Sequence, residues 1–580
     1  MNTIYQDGRE YDHLGMGQGA GDEIEFYFAQ AGRGTSTLEL ACGTGRLTVS
    51  LAERGNRHQH SDWGKRGYGY THGMAKYDYD IIILGGGSAG IVSGVMAGAL
   101  GMRVLLIEKG KMGGECLNTG CVPSKALIHA ARVAHTLRTA GECGLNSVPV
   151  SREDAAGVMA HVRATIKAVE GADATVKLLE DNGVEIRHGA AHFTNPHTLE
   201  MGGETLTGAN FILATGSSPA PLDVPGLAEA GYLTNQTVFD LDAIPESLLV
   251  IGGGPNGVEM AQAFRRLGSH VTLVQNRERL LPRDDVALSS ALAGILRREG
   301  IDIRFDARVT SVRVEDGRRV ATVTQGDGDR EVICDEILST VGRVPNTGGL
   351  GLEAAGVKFD GKRVQTDAAL RTTTSHIYAG GDLLGHDQFS HLAEYEAKLI
   401  VRNIVFPGTT RTDFHIDPWA TFTDPEVAHL GLTEEEAKER GLAYEVYAQP
   451  FAQNDRAIVE GDAQGFVKIL SSGLGGKILG VHILGPHAGE LMHEWILAMQ
   501  HGHSIRDVAD LVHIYPTLSM ASQHAAQRWY ERKGQEPLAK AALGAYVKGI
   551  RPHQTALALG LAGAGLGLAW ARRGNSRRDR

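Results

Sequence analysis

Two stretches of the chain carry the same order of apolar and small residues. Residues 79–108 read YDIIILGGGSAGIVSGVMAGALGMRVLLIE, and residues 248–275 read LLVIGGGPNGVEMAQAFRRLGSHVTLVQ. Each predicts an apolar strand, a glycine turn, a small-residue helix and a second apolar strand. A third apolar stretch stands near the end, TALALGLAGAGLGLAWA at 555–571, with Arg551 before it and RRGNSRRDR after it.

The glycines give the first two stretches a chemistry. Gly85, Gly87 and Gly90 have GxGxxG spacing, and Glu108 closes the following strand. Such glycines let the backbone approach a pyrophosphate at a helix N-terminus, and the acid suits a ribose. Gly252, Gly254 and Gly257 repeat the spacing, with Gln275 where Glu108 fell. Two dinucleotide sites imply two cofactors with electron transfer between them. Without an acid at Gln275 nothing repels a 2′-phosphate, and Arg277 and Arg279 are placed to bind one. The second cofactor is therefore NADPH or NADH, with a lean to NADPH.

Between the two turns, residues 113–125 read GGECLNTGCVPSK. Cys116 and Cys121 are too close in sequence to staple a fold, because so short a loop removes little unfolded-state entropy. Either they are buried small hydrophobes or they form a disulfide that opens and closes in a reaction.

Composition narrows the class. The 580 residues allow three or four domains, and 42% hydrophobic content supports real cores. Seventy-six glycines suit an architecture full of strand-to-helix turns. A net charge of −11 gives no reason to expect nucleic acid. Five cysteines are too few for a secreted disulfide framework, and residues 1–30 lack a basic start followed by an apolar run. A cytoplasmic location follows as the expectation. No metal site is expected.

With the cysteine loop between two such turns, the chain resembles the class I pyridine nucleotide-disulfide oxidoreductases, from about Tyr77 to about Lys533. ATGSSP at 214–219, YAGGD at 378–382 and PWATFTDPEVAHLGLTE at 418–434 match further. The resemblance implies an α/β fold with two Rossmann-like domains, for FAD and NAD(P), and a C-terminal α+β dimerisation domain, hence a homodimer. It implies FAD contacts at Lys109, Thr215, Gly216, Gly381 and Asp382, the last on the ribityl chain, and an NAD(P) contact at Gly342. Cys121 is implied as the sulfur beside the flavin, Cys116 as the thiol that meets substrate, and Lys125 with Glu259 as a charge pair beside the ring.

One stretch departs from the family. In its dithiol-handling members a His-Pro-Thr segment followed by Glu lends an acid–base dyad to the neighbouring subunit, but here residues 513–520 read HIYPTLSM. Tyr515 replaces the histidine and Met520 the glutamate. Tyrosine, with an unperturbed pKa near ~10, is a poor base at neutrality. Tyr515 matches a tyrosine of mercuric reductases, whose soft metal ion needs no base, although no cysteine pair follows Cys334 to deliver metal. The expected acceptor is a small molecule or soft metal. Competing readings are a dihydrolipoyl dehydrogenase with His513 covering for the dyad, and a membrane-tethered flavin-binding redox sensor.

The expected domains are 77–240 with 360–412 for FAD, 241–359 for NAD(P), and 413–533 for dimerisation. Residues 1–76 form a remnant and linker: LELACGTGRLTVSLAERG at 38–55 resembles the strand, turn and helix that open a methyltransferase, and Met74 is the expected functional start. Residues 534–580 form a tail. A helix over 555–571 would reach roughly 25 Å against a ~30 Å hydrocarbon core, so association with the inner membrane face stands beside a tail docked on a partner subunit.

Overall fold

The structure is a computed structural model and describes residues 37–42, 45–50, 76–173, 175–412, 416–473 and 475–547. The chain divides into two units, residues 1–72 and 73–580. In the first, strands Thr37–Cys42 and Gly45–Ser50 pair antiparallel, with Leu40 opposite Leu47. This corrects the strand–turn–helix expectation for 38–55. Arg46, Leu47, Thr48 and Val49 alternate polar and apolar, the period of a strand. Met74 and the tail 555–571 lie outside the described residues. Among the described residues no helix is long and apolar enough to cross a membrane.

The second unit contains the two repeated folds. Strand Tyr79–Leu84 lies between Val104–Glu108 and Glu204–Leu213, all parallel. Val184–His188 and Ile377–Ala379 extend the sheet on either side, again parallel. Ile81, Ile82 and Ile83 are fully buried, because a parallel sheet covered on both faces demands unbroken apolar runs. Ile377–Ala379 carries YAGGD back from far along the chain to the edge of this sheet.

Around the second turn, strand Ser247–Ile251 lies between His270–Val274 and Glu336–Ser339, with Asp302–Arg304 beyond, all parallel. The pairing of Ile81 with Val104 recurs as Leu248 with Val271. An antiparallel sheet of Ala307–Glu315, Arg318–Gln325 and Gly328–Cys334 follows. From Trp419 the chain changes character to a five-stranded antiparallel sheet. Helices Ala488–Gln500 and Met520–Gln535 pack on it through Trp495 and Trp529, both in the same core. Trp495 Nε1 donates to Ser522 Oγ at 3.0 Å, so the buried indole keeps its partner.

Candidate functional site

Both glycine turns are built alike at the atomic level. Gly85 and Gly252 have φ of +111° and +113°, a region that favours residues without a Cβ. A Cβ on Gly90 would come within 1.8 Å of Gly85 O, and one on Gly257 within 1.9 Å of Gly252 O. The third glycine of each motif therefore lets helix meet turn. Glu108 Oε2 accepts from Gly86 N–H and Oε1 from Gly110 N–H, both at 2.6 Å. Gln275 imitates this with its amide oxygen on Gly253 N–H at 3.3 Å. The strand-end residue thus braces the turn in both copies.

The cysteine loop stands at the mouth of the first turn. Gly114–Asn118 forms a short helix carrying Cys116, and Cys121 is the first residue of the helix Cys121–Thr139. Both carry free thiols in the structure. Cys121 is lowered to about 6: a hydrogen bond from Cys116 favours its thiolate most, Ser390 and Lys125 add to that, and burial opposes it. Cys116 is raised, first because it donates to Cys121 and then by burial. One proton is thus shared unequally, with the negative charge on Cys121.

Four residues along from Cys121, Lys125 Nζ meets Glu259 Oε2 at 2.9 Å. The other carboxylate oxygen accepts from Phe422 N–H at 2.8 Å, and Lys125 sits over the Phe422 ring, 4.4 Å from its centroid. Helix Cys121–Thr139, helix Pro255–Arg266 and the segment after Trp419 converge here.

A cavity of about 720 Å³ runs through this region. It is lined by Gly85, Gly87, Glu108, Lys109, Cys116, Cys121, Lys125, Thr215, Gly216, Gly381 and Asp382 together. Gly90 lies behind the turn. Asp382 Oδ2 accepts from Ser217 Oγ at 2.6 Å. Arg343 ties the same region together, donating to Ser217 Oγ at 2.8 Å and pairing with Glu115. A dinucleotide fits these features: a glycine cradle that a Cβ would fill, an acid at the strand end, and a long cavity reaching the cysteines.

At the second turn, Gly254 has open space beside it, as does Gly342 at φ +136°. Arg277 is exposed. Arg279 is not available as expected: its guanidinium is held by Glu435 at 2.5 Å and by Pro282 O at 3.1 Å. Tyr515 stands apart from the cavity on the surface of the antiparallel domain, its hydroxyl donating to Asp455 Oδ2 at 3.0 Å. Met520 opens the helix behind it. His513 is turned inward, Nε2 lying 2.9 Å from Glu494 Oε1 with its side chain 7% exposed.

Ser390, Phe422, Arg343 and Asp455 were not singled out by the sequence. Phe422 lies in the matched segment PWATFTDPEVAHLGLTE, which flagged its neighbourhood but not its backbone N–H. Ser390 meets Cys121, and Asp455 meets Tyr515, only through tertiary contact.

Two Rossmann-type sheets, a dithiol at the end of the first and an antiparallel third domain define a flavin- and nicotinamide-dependent disulfide oxidoreductase. The family described as pyridine nucleotide-disulphide oxidoreductase matches residues 79–397, and its dimerisation domain matches 417–526. The chain belongs to this family. It is 36% identical to a dihydrolipoyl dehydrogenase of Thermus scotoductus over 78% of this chain and 98% of that one. It is 35% identical to a mercuric reductase of Bacillus cereus over 76% and 70% respectively. Among solved structures, the Cu(II) complex of the HOCl-induced flavoprotein disulfide reductase RclA from Escherichia coli superposes with a TM-score of 0.69 at 26% identity. That match covers 78% of this chain and 99% of that one. The protein is a homodimeric oxidoreductase that uses FAD and NAD(P)H and a redox-active disulfide. The reading as a membrane-tethered sensor finds no support, since these relatives are enzymes.

Proposed function

We propose that this enzyme passes electrons through Cys121 and Cys116 to a thiophilic metal ion and not to an organic disulfide. The observation that carries this reading is the Tyr515–Asp455 hydrogen bond at 3.0 Å where a histidine–glutamate dyad would stand. An aspartate beside it raises the Tyr515 hydroxyl above its ordinary value, which removes it further from general-base work. His513 already has Glu494 as partner and faces inward.

FAD, held by the Gly85 turn, Glu108, Lys109, Thr215, Gly216, Gly381 and Asp382, supplies hydride acceptance from NAD(P)H and delivery of an electron pair to the disulfide. The Gly252 turn, Gly342 and Arg277 hold the nicotinamide cofactor, with NADPH the favoured form. Residues 77–240 with 360–412, 241–359 and 413–533 divide these tasks. Lys125 and Glu259 fix the charge next to the ring site. The Cys116–Cys121 disulfide takes two electrons and one proton, giving the Cys116 thiol and the Cys121 thiolate. A soft metal ion then binds Cys116, the metal–sulfur bond forming as the S–H proton leaves to water. The Cys121 thiolate then attacks the Cys116 sulfur, so that the disulfide closes as the metal–sulfur bond breaks and the electron pair of that bond leaves on the metal, which is reduced by two electrons. No proton has to be placed on a departing thiol, so no dyad is required. The mercuric reductase relatives and the Cu(II)-bound RclA structure agree with this class of acceptor.

A second reading, dihydrolipoyl dehydrogenase, is favoured by the 36% identity to that enzyme. The test is to reduce the FAD-loaded enzyme anaerobically with NADPH or NADH and then add Hg(II), Cu(II), lipoamide, oxidised glutathione or a quinone in parallel. Rapid catalytic reoxidation by the metal ions is expected. Equally rapid reoxidation by lipoamide would overturn the proposal.

A further inference from the structure

We propose that Ser390 is a further catalytic residue of this site, its hydroxyl donating to Cys121 Sγ and holding that sulfur as the thiolate; the inference rests on Cys121 being the flavin-facing sulfur. The two atoms are 3.5 Å apart, and both residues line the cavity. Ser390 is the first residue of the helix Ser390–Val405, and the residue before it, Phe389, makes no side-chain cap. The Ser390 hydroxyl meets the Cys121 sulfur, and the Cys116 sulfur is also within its reach.

The charges around Cys121 leave the decision to neutral donors. Lys125 favours the thiolate and Glu259 opposes it, but the two are paired with each other at 2.9 Å. What remains is the Cys116 thiol and the Ser390 hydroxyl. The Cys116 donor exists only in the reduced pair and is lost once Cys116 binds an acceptor. Ser390 then becomes the remaining side-chain hydroxyl on the sulfur. It keeps the charge on Cys121 while Cys116 is engaged, so the next disulfide closure starts from a ready nucleophile.

The test uses FAD-loaded Cys116→Ser enzyme, in which Cys121 is the one titrating sulfur of the pair. A thiolate beside oxidised flavin gives a long-wavelength charge-transfer absorbance, which is followed against pH. Adding Ser390→Ala is expected to raise the midpoint by about one pH unit, the effect of one hydrogen bond to a charged group. Ser390→Thr should restore the midpoint and Ser390→Val, matched to it in shape, should not. That last comparison separates the hydroxyl from its packing. Coincident midpoints with and without the hydroxyl overturn the role of Ser390 and leave Cys121 facing the flavin. If no band exists that Cys121→Ser removes, the placement of Cys121 fails, and the inference with it.

Discussion

Lys125 and Glu259 meet at 2.9 Å between the helices Cys121–Thr139 and Pro255–Arg266, and Glu259 also takes the backbone N–H of Phe422. Glu259 is only 3% exposed, so its charge depends on these two partners. Lys125 sits one helical turn beyond Cys121. A single carboxylate thereby ties two helices and the segment after Trp419 together.

Glu259→Gln is expected to keep the Phe422 bond and lose the charge. The variant should be destabilised by about 1–3 kcal/mol, the scale of a damaged buried bond to a charged group. Its reductive half-reaction should slow about tenfold or more. Thermal unfolding and stopped-flow reduction by NADPH check the two effects separately, and wild-type rates would show that the pair is only a packing device.

The thiolate makes a pH prediction. Cys121 is depressed to about 6, chiefly by the Cys116 hydrogen bond, so in the two-electron-reduced enzyme its thiolate should appear as pH rises through about 6. Cys116 is displaced the other way and should contribute no second thiolate near neutrality. Charge-transfer absorbance measures the first, and alkylation with Cys121 masked measures the second. A midpoint near the ordinary ~8.5 of cysteine would show that the hydrogen bond does not hold.

Much of this site was legible from spacing. Gly85, Gly90, Gly252 and Gly257 announce themselves because close approach of helix to turn tolerates no Cβ, whatever the surrounding sequence. Cys116 and Cys121 are equally local. Phe422, Ser390 and Arg343 are not, because each acts from a distant segment through one atom or one guanidinium. The N-terminal segment failed for the opposite reason. LELACGTG looks like a turn motif, yet the alternation after it belongs to a hairpin, and Gly45–Ser50 is a strand. Arg279 read as a phosphate ligand because Glu435, its partner, lies on a remote element.

Coenzyme choice follows from that correction. With Arg279 held by Glu435 and Gln275 bracing Gly253, Arg277 is the exposed cation at the end of the second strand. Arg277→Ala should raise KM for NADPH about tenfold, the usual scale of a lost charge-assisted contact, and leave KM for NADH unchanged. Steady-state kinetics with both coenzymes decide it. Equal effects on the two would remove Arg277 from 2′-phosphate recognition.

A second pH effect concerns stability. Asp417 is raised to about 8, mostly by burial and then by its hydrogen bond with Asp387, while Arg283 and His386 oppose the shift. One Asp417 oxygen is buried without a hydrogen-bond partner. The folded state thus holds a proton that the unfolded chain releases near ~3.9, so stability should fall as pH rises from about 4 to about 8. Asp417→Asn keeps a donor toward Asp387 and carries no titrating proton. It should raise Tm at pH 8 and leave it little changed near pH 4. Melting curves across this window would contradict the assignment if the two proteins ran parallel.

The acceptor itself can be redirected. Tyr515→His combined with Met520→Glu would rebuild a histidine–glutamate pair in the segment 513–520, with Asp455 still within reach of position 515. Disulfide substrates need a proton placed on the departing thiol, and a positioned acid–base group contributes roughly 10²–10⁴-fold. The double variant is therefore expected to gain at least tenfold in lipoamide or glutathione reduction. Metal-ion reduction, which uses no such proton, should stay within about threefold of the parent. Tyr515→His alone should gain less, because an unpartnered imidazole is neither oriented nor tuned. Reoxidation kinetics of the NADPH-reduced variants with both kinds of acceptor give the answer directly. A double variant that gains nothing on disulfides would mean that the block lies at Cys116 or its surroundings, and not in the missing dyad.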